Sequence, residues 1–118
     1  MPSLLVVDDD RDQLQLQKRV LEHAGHEVRT AATIAEAARL LVESRPDILL
    51  MDLYLPNLKD GLALIRTVEA QQPATKILVL SGWSLDFLDT PEQKLVHQVL
   101  DKPVRTELLL RAISDMLR

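Results

Sequence analysis

The sequence predicts an α/β fold in which five parallel strands form one doubly wound sheet. Three short segments, residues 3–8, 48–52 and 76–81, are continuously apolar, which is typical of strands buried on both faces. Two further segments, 27–31 and 96–101, mix polar and apolar residues and therefore suit the edges of a sheet. A helical segment follows each strand, and this alternation indicates right-handed βαβ units. With the mixed strands outside, the strand order is 2-1-3-4-5.

The first two helices carry clear start signals. Asp10 followed by Gln13, and Thr33 followed by Glu36, match the capping box, which satisfies free N–H groups of the first helical turn. Gly25 suits the position just after the first helix, because glycine readily adopts the left-handed conformation needed there. The apolar residues expected on the inner faces are Leu14, Leu16, Val20, Leu21 and Ala24 in the first helix, and Ile34, Ala37, Ala38, Leu41 and Val42 in the second.

The later helices are marked less evenly. We expect residues 56–61 to form a loop and the third helix to span about 62–71. The segment 83–96 has poor periodicity, and the Thr-Pro pair at 90–91 predicts only a short helix within it. The last helix is predicted over about 106–117. The inner-face residues expected on the third and last helices are Leu64, Ile65, Val68, Leu109, Leu110, Ile113 and Leu117.

The composition describes one small acidic domain. The chain has 118 residues, enough for one domain and too few for two, so we expect residues 1–118 to form a single domain. The net charge of -4 argues against direct nucleic-acid binding, which requires a basic face. There is no cysteine, which excludes disulfides and thiolate metal sites. Without a signal peptide or an apolar run of about 20 residues, we expect a cytoplasmic protein with no membrane contact.

Polar side chains stand at the ends of four predicted strands. Asp8 and Asp9 follow the first strand, and Asp52 ends the third. In an open α/β sheet, ligands bind outside the carboxyl ends of the strands where the strand order reverses, which here lies between strands one and three. Ser81 and Lys102 end the fourth and fifth strands at the same rim. The sequence therefore predicts a polar site built from these five residues.

Three carboxylates in one site repel one another. At an effective dielectric of about 20, each like-charged pair at about 4 Å costs roughly 4 kcal/mol. A bound cation relieves this cost, and ligands that are all oxygen suit Mg²⁺. A Mg²⁺ ion beside a carboxylate nucleophile, a hydroxyl group and a lysine forms a site for phosphoryl transfer.

Four motifs, which occur in order across essentially the whole chain, resemble those of the receiver domain of two-component response regulators. They are Val6-Val7-Asp8-Asp9, Met51-Asp52-Leu53-Tyr54-Leu55-Pro56, Leu80-Ser81-Gly82 and Asp101-Lys102-Pro103. Each motif is weak evidence alone, but the four together with the βα alternation are specific. The resemblance implies a flavodoxin-like receiver domain over residues 1–118 with no output domain in the chain, either as a stand-alone regulator or as part of a longer protein. It also implies a phosphorylation-dependent signalling switch, not an enzyme beyond its own phosphorylation and autodephosphorylation.

The resemblance also implies a Mg²⁺ site. In it, Asp8 and Asp9 form the acid pair, with Asp9 as a direct ligand and Asp8 acting mainly through water. Asp52 and the backbone carbonyl of Tyr54 complete the protein ligands.

By the same resemblance, Asp52 is the phosphoacceptor. The phosphoryl group comes from a phosphohistidine of a histidine kinase or phosphotransfer protein, and phosphorylation changes binding to a downstream protein. Ser81 and Lys102 hydrogen-bond the phosphoryl group. Pro103, directly after the lysine, is often a cis-proline in the family.

Several positions depart from the family pattern. Val99 stands where the family usually has an aromatic residue that swings inward on activation, so the usual coupling is not expected here. The segment 83–96 lacks a clear amphipathic fourth helix, although this face usually changes on phosphorylation. Tyr54 and Trp83 flank the site at positions that tune autodephosphorylation in the family. Val99 and the unusual segment 83–96 motivate a second hypothesis, a protein-interaction module that keeps the fold but signals without phosphate.

Other interpretations have less support. A Mg²⁺-dependent phosphohydrolase with an aspartyl nucleophile usually carries a second aspartate two residues later, and Tyr54 occupies that position. A flavin-binding protein needs a phosphate-binding loop rich in Ser, Thr or Gly after the first strand, and none follows it. His23, His26 and His97 have no credible ligand partners in the sequence, so we expect surface or edge positions for them.

Overall fold

The computed structural model describes residues 2–82 and 84–118, and within them it contains five strands, five α-helices and one 3₁₀ helix. The strands are β1 (Ser3–Val7), β2 (Glu27–Ala31), β3 (Ile48–Asp52), β4 (Lys76–Ser81) and β5 (Gln98–Asp101). The helices are α1 (Arg11–His23), α2 (Ile34–Ser44), α3 (Leu58–Gln71), α4 (Ser84–Leu88) and α5 (Thr106–Met116), and the 3₁₀ helix is Pro91–Leu95.

All five strands are parallel and lie in the order β2-β1-β3-β4-β5, which confirms the predicted fold. The register aligns the carboxyl ends of the central strands. Val7 pairs with Met51, and Asp52 pairs with Leu80. The residues that directly follow β1 therefore meet the end of β3 at one rim of the sheet.

The core has two layers, one on each face of the sheet. Because successive strand residues point to opposite faces, Leu4 and Val6 face α1 and α5, whereas Leu5 and Val7 face α2 and α3. Both faces of β1, β3 and β4 are thus covered, which explains their continuously apolar sequences.

Only part of each predicted inner helical face is buried. Leu14 and Leu21 of α1 are buried, but Leu16 is exposed, because two helical steps of about 100° carry it away from the sheet. In α2, Ala37 and Leu41 are buried, whereas Ala38 and Val42, which directly follow them, face solvent. The predicted inner positions that the structure corrects are Leu16, Ala24, Ala38 and Val42, all of which are exposed.

The helix caps largely follow the sequence signals. The Asp10 carboxylate accepts hydrogen bonds from the N–H groups of Asp12 and Gln13, and the Thr33 hydroxyl accepts one from the N–H of Glu36. Gly25 has a φ of 97°, the left-handed conformation expected after α1. These contacts place the first turns of both helices directly after β1 and β2.

The prediction of a loop over residues 56–61 is wrong, because α3 begins at Leu58. Asn57 caps this helix, and its Oδ1 atom accepts a hydrogen bond from the N–H of Asp60 at 3.0 Å. Gly61, which suggested a loop, instead marks a close approach: a Cβ atom there would lie 1.7 Å from the carbonyl oxygen of Leu53. The glycine lets α3 pack against the chain that leaves β3.

The weakly patterned fourth region forms two short elements. The short helix predicted after Thr90 is the 3₁₀ helix, and the five-residue α4 precedes it. Phe87 of α4 is fully buried, whereas Leu85 and Leu88 are 76% and 57% exposed. Trp83, predicted to flank the site, lies outside the described residues.

His97 lies at the edge of the sheet, as predicted, and has a structural role there. Its Nδ1 atom accepts a hydrogen bond from the backbone N–H of Ile77 at 3.0 Å, and its own N–H donates to the Ile77 carbonyl at 2.9 Å. The side chain thus extends the pairing of β4 and β5 by one residue.

No helix within residues 2–82 and 84–118 is long and apolar enough to span a membrane.

Candidate functional site

Three carboxylates meet at the rim between β1 and β3. Asp8 and Asp9 follow β1, Asp52 is the last residue of β3, and an oxygen atom from each lies within 4.8 Å of the others. The pairing of Val7 with Met51 produces this proximity, because it carries both strands to the same level. The acidic cluster predicted from the strand ends is present.

Lys102 reaches this cluster from the end of β5. Its ammonium nitrogen lies 2.8 Å from Oδ2 of Asp52 and 3.8 Å from Oδ2 of Asp8. Partial burial lowers the pKa of Lys102, but the hydrogen bond to Asp52 and the charges of the three carboxylates outweigh burial and raise this pKa above its ordinary value. The lysine is therefore a permanent cation beside Asp52 at neutral pH.

Asp8 is the buried member of the cluster, with its side chain 5% exposed. Burial raises the pKa of Asp8 above its ordinary value, and a hydrogen bond from the N–H of Asp10 and the positive charge of Lys102 offset only part of this effect. The structure thus holds a carboxylate where its negative charge is costly. A cation placed among the carboxylates would lower that cost.

Both carboxylate oxygens of Asp52 have partners in the chain. Oδ2 accepts the hydrogen bond from Lys102, and Oδ1 accepts one from the backbone N–H of Tyr54 at 3.1 Å. The side chain remains 16% exposed, while Asp9 is exposed to solvent. Asp52 is held in one orientation but can still be reached from outside.

The donor set fits a hard divalent cation. The three clustered side chains offer only carboxylate oxygens, which is the ligand type that Mg²⁺ prefers. The exposure of Asp9 leaves space for the water molecules that Mg²⁺ retains.

Ser81 ends β4 with its side chain fully buried. Its backbone carbonyl accepts a hydrogen bond from the N–H of Lys102 at 2.9 Å, which ties the ends of β4 and β5 together. Val99 is partly buried and pairs with Val79 in the sheet. The Lys102–Pro103 peptide bond is cis, as the resemblance implied, and so is Leu55–Pro56.

One contact beside the site is not predicted by any pattern in the sequence. The Tyr54 hydroxyl donates a hydrogen bond to Oδ2 of Asp86 in α4, at 2.8 Å. This bond raises the pKa of the Tyr54 phenol. The two residues lie 32 positions apart, and no spacing rule relates them.

Several bacterial transcriptional regulators resemble this chain. PrrA of Mycobacterium tuberculosis is 41% identical over 83 residues, which is 70% of this chain and 35% of PrrA. AfsQ1 of Streptomyces coelicolor is 38% identical over 122 residues, covering 100% of this chain and 52% of AfsQ1. GlrR of Escherichia coli is 33% identical over 115 residues, which is 97% of this chain and 26% of GlrR. The chain thus spans from about a quarter to about half of these relatives.

Solved structures share the fold. A response regulator receiver domain protein from Clostridium thermocellum has a TM-score of 0.90 at 29% identity, covering 99% of this chain and 94% of that one. TrrA of Thermotoga maritima, solved in complex with Mg(2+)-BeF, has a TM-score of 0.88 at 23% identity, covering 98% and 99% of the two chains. At that identity, the likeness to TrrA shows the fold alone.

The family model of the response regulator receiver domain matches residues 4–114. The match begins at the second residue of β1, extends past β5, and includes Asp8, Asp9, Asp52 and Lys102. The chain therefore belongs to the response regulator receiver domain family of two-component signal transduction.

Proposed function

We propose that Asp52 is the phosphoacceptor of a signalling switch. One observation carries this proposal: Asp52 stands at the reversal point of the sheet, 2.8 Å from the Lys102 ammonium group and clustered with two further carboxylates. A carboxylate that is oriented, partly accessible and paired with a fixed cation is suited to attack a phosphorus atom.

The proposed step transfers a phosphoryl group from a phosphohistidine of a histidine kinase or phosphotransfer protein. An Asp52 carboxylate oxygen attacks the phosphorus, the phosphorus–nitrogen bond breaks, and the departing imidazole takes up a proton. Lys102 lies close enough to Asp52 to bind the carboxylate before the transfer and the negatively charged phosphoryl oxygens after it. Ser81, at the end of the neighbouring strand, is proposed as a second hydrogen-bond donor to that group.

The proposed Mg²⁺ ligands are Asp9 and Asp52 directly, Asp8 mainly through water, and the backbone carbonyl of Tyr54. When bound, Mg²⁺ neutralises phosphoryl oxygens and so stabilises charge in the transition state. Asp8 and Asp9 fit this role because their negative charges repel each other and the charge of Asp52. A bound Mg²⁺ would reduce this repulsion.

Mass spectrometry of the intact protein tests the assignment directly. Incubation with a small phosphodonor such as phosphoramidate and Mg²⁺ should add one phosphoryl group, which the Asp52→Asn variant should not acquire. Asp60→Asn is the matched control, because Asp60 is a nearby carboxylate in the first turn of α3 that lies outside the cluster. A labelled Asp52→Asn variant, or an unlabelled parent protein, contradicts the proposal.

Beryllofluoride, which mimics a phosphoryl group on a carboxylate, gives an independent test. TrrA was solved with this mimic and Mg²⁺, so the reagent suits the fold. In isothermal titration with Mg²⁺ present, the parent chain should bind it and Asp52→Asn should not. Equal binding by both proteins is incompatible with Asp52 as the acceptor.

The proposed partners follow from this chemistry. A kinase or phosphotransfer protein supplies the phosphoryl group in the cytoplasm, and a downstream protein binds differently once Asp52 is modified. The relatives are named as transcriptional regulators, and each is longer than the part that matches this chain. We propose that this domain itself contacts protein and not nucleic acid, since its net charge is -4.

Val99 favours a second candidate, an interaction module that signals without phosphate. An aliphatic side chain at this position cannot form hydrogen bonds, so it cannot respond to a phosphoryl group as an aromatic hydroxyl could. Binding of a purified partner, measured before and after confirmed phosphorylation, separates the candidates. Equal affinity in both states favours the module, and a change in affinity favours the switch.

A further inference from the structure

We propose that Tyr54 couples the phosphorylation state of Asp52 to helix α4, through the hydrogen bond between its phenol and the Asp86 carboxylate. This inference rests on the proposed phosphorylation of Asp52. It assigns a route for the signal that includes neither Val99 nor the end of β4. The route has three steps, and the first two are hydrogen bonds in the structure.

The first step is the backbone contact between Asp52 and Tyr54. Oδ1 of Asp52 accepts the Tyr54 N–H at 3.1 Å, and Oδ2 is held by Lys102. Phosphorylation of either oxygen removes the carboxylate charge, which leaves Oδ1 as a neutral carbonyl or as the bridging oxygen. Hydrogen bonds to charged acceptors are roughly twice as strong as neutral ones. Phosphorylation therefore weakens the bond from the Tyr54 N–H to Asp52 itself and moves the negative charge outward onto the phosphoryl oxygens, so the Tyr54 backbone shifts toward them.

The second step is the side-chain contact between Tyr54 and Asp86. The phenol donates to Oδ2 of Asp86 at 2.8 Å, an O–H donor on a charged acceptor, which is a strong and directional arrangement. A shift of the Tyr54 backbone must move Asp86 with it or break this bond. In either case the position of α4 depends on the state of Asp52.

The third step is the weak hold on α4 itself. The helix has five residues, far fewer than an isolated helix needs to be stable, so tertiary contacts determine its position. Its described anchors include the buried Phe87, whose carbonyl accepts a hydrogen bond from the Thr90 hydroxyl. Leu85 and Leu88 lie on the exposed side of the same helix. Loss of the Asp86 contact therefore changes how these two leucines are presented to solvent.

Hydrogen–deuterium exchange of the full chain, with and without phosphorylation by phosphoramidate and Mg²⁺, tests the coupling. In the parent chain, phosphorylation should speed exchange of the α4 amides by roughly fivefold, the factor expected for loss of one hydrogen bond. Asp86→Ala should accept the phosphoryl group as the parent does, yet its α4 amides should exchange fast in both states. Tyr54→Phe should abolish the exchange difference as well, because phenylalanine lacks the hydroxyl.

Asp89→Ala is the matched control, because Asp89 is an exposed carboxylate one residue beyond α4. It should keep the full phosphorylation response. The coupling is overturned if Asp86→Ala shows the same phosphorylation-dependent exchange as the parent, or if the phosphorylated parent shows no change in α4. An unphosphorylated parent in the mass spectrum instead overturns the proposed function, and the coupling with it.

Discussion

The Lys102 ammonium nitrogen lies 2.8 Å from Oδ2 of Asp52, so the chain supplies a cation beside its acidic cluster. The carboxylates of Asp8 and Asp9 add two further negative charges within a few ångströms. Lysine and a divalent metal ion therefore share one set of negative charges. Each lowers the free-energy gain that the other obtains from the cluster.

Replacement of Lys102 should accordingly tighten metal binding and slow phosphorylation. We expect Lys102→Met to bind Mg²⁺ about three- to tenfold more tightly at low ionic strength, because a neighbouring positive charge is removed. Isothermal titration at two salt concentrations measures the effect, which should shrink as salt rises. Lys94→Met, which changes an exposed lysine of the 3₁₀ helix, is the control. Equal or weaker Mg²⁺ affinity in Lys102→Met means that the lysine and the metal do not compete.

Asp8 should make the metal-free protein less stable as the pH rises. Burial raises the pKa of Asp8 above its ordinary value, so between the ordinary pKa and the raised pKa the folded chain binds more protons than the unfolded chain. Stability therefore falls as the pH rises through that window. At neutral pH, Asp8→Asn should be more stable than the parent in EDTA, because asparagine has no charge to bury.

Urea denaturation of both proteins at pH 7 measures this difference. Asp12→Asn, which changes an exposed carboxylate in the first turn of α1, should be neutral or slightly destabilising. Added Mg²⁺ should stabilise the parent more than Asp8→Asn. The difference in their free energies of unfolding should therefore shrink or change sign. If Asp8→Asn is less stable in EDTA, the attraction of the Asp8 charge to Lys102 and to the Asp10 N–H outweighs the cost of burying that charge.

The sequence predicted the acidic cluster and the lysine because a parallel sheet brings its strand ends to one rim. A buried strand has an unmistakable apolar pattern, so the polar residue that ends it can be placed to within one position. Asp52 at the end of β3 was located in this way, whereas Lys102 follows the mixed strand β5 and was placed by the alternation of strands and helices. No further geometry is needed to bring such residues together.

Features that depend on packing between distant segments could not be predicted in this way. A glycine such as Gly61 usually indicates a loop. Only the approach of the Leu53 carbonyl explains why a helix contains it. The contact between Tyr54 and Asp86 depends on where a five-residue helix settles, and its sequence has no strong periodicity. Local pattern decides neither case, because the competing effect comes from another part of the chain.

Gly61→Ala should therefore destabilise the protein, although alanine normally stabilises a helix relative to glycine. The added Cβ would lie 1.7 Å from the Leu53 carbonyl oxygen, which is backbone and cannot move aside as a flexible side chain could. We expect a loss of about 3 kcal/mol in the free energy of unfolding. Gly82→Ala is the control, since a Cβ there meets no atom within 4 Å, and it should change stability by less than about 1 kcal/mol. Equal losses in both variants would contradict the close approach.

His97→Ala should destabilise the protein by removing an acceptor, not by removing packing. The Nδ1 atom of His97 accepts the N–H of Ile77, a fully buried residue, at 3.0 Å. Without it, this N–H group loses its partner next to β5, which costs about 1–3 kcal/mol. Thermal or urea denaturation measures the change. His23→Ala alters an exposed histidine in the last turn of α1 and should stay within about 0.5 kcal/mol of the parent. If the two variants are equally stable, water replaces the imidazole as the partner of Ile77, and the edge of the sheet does not depend on His97.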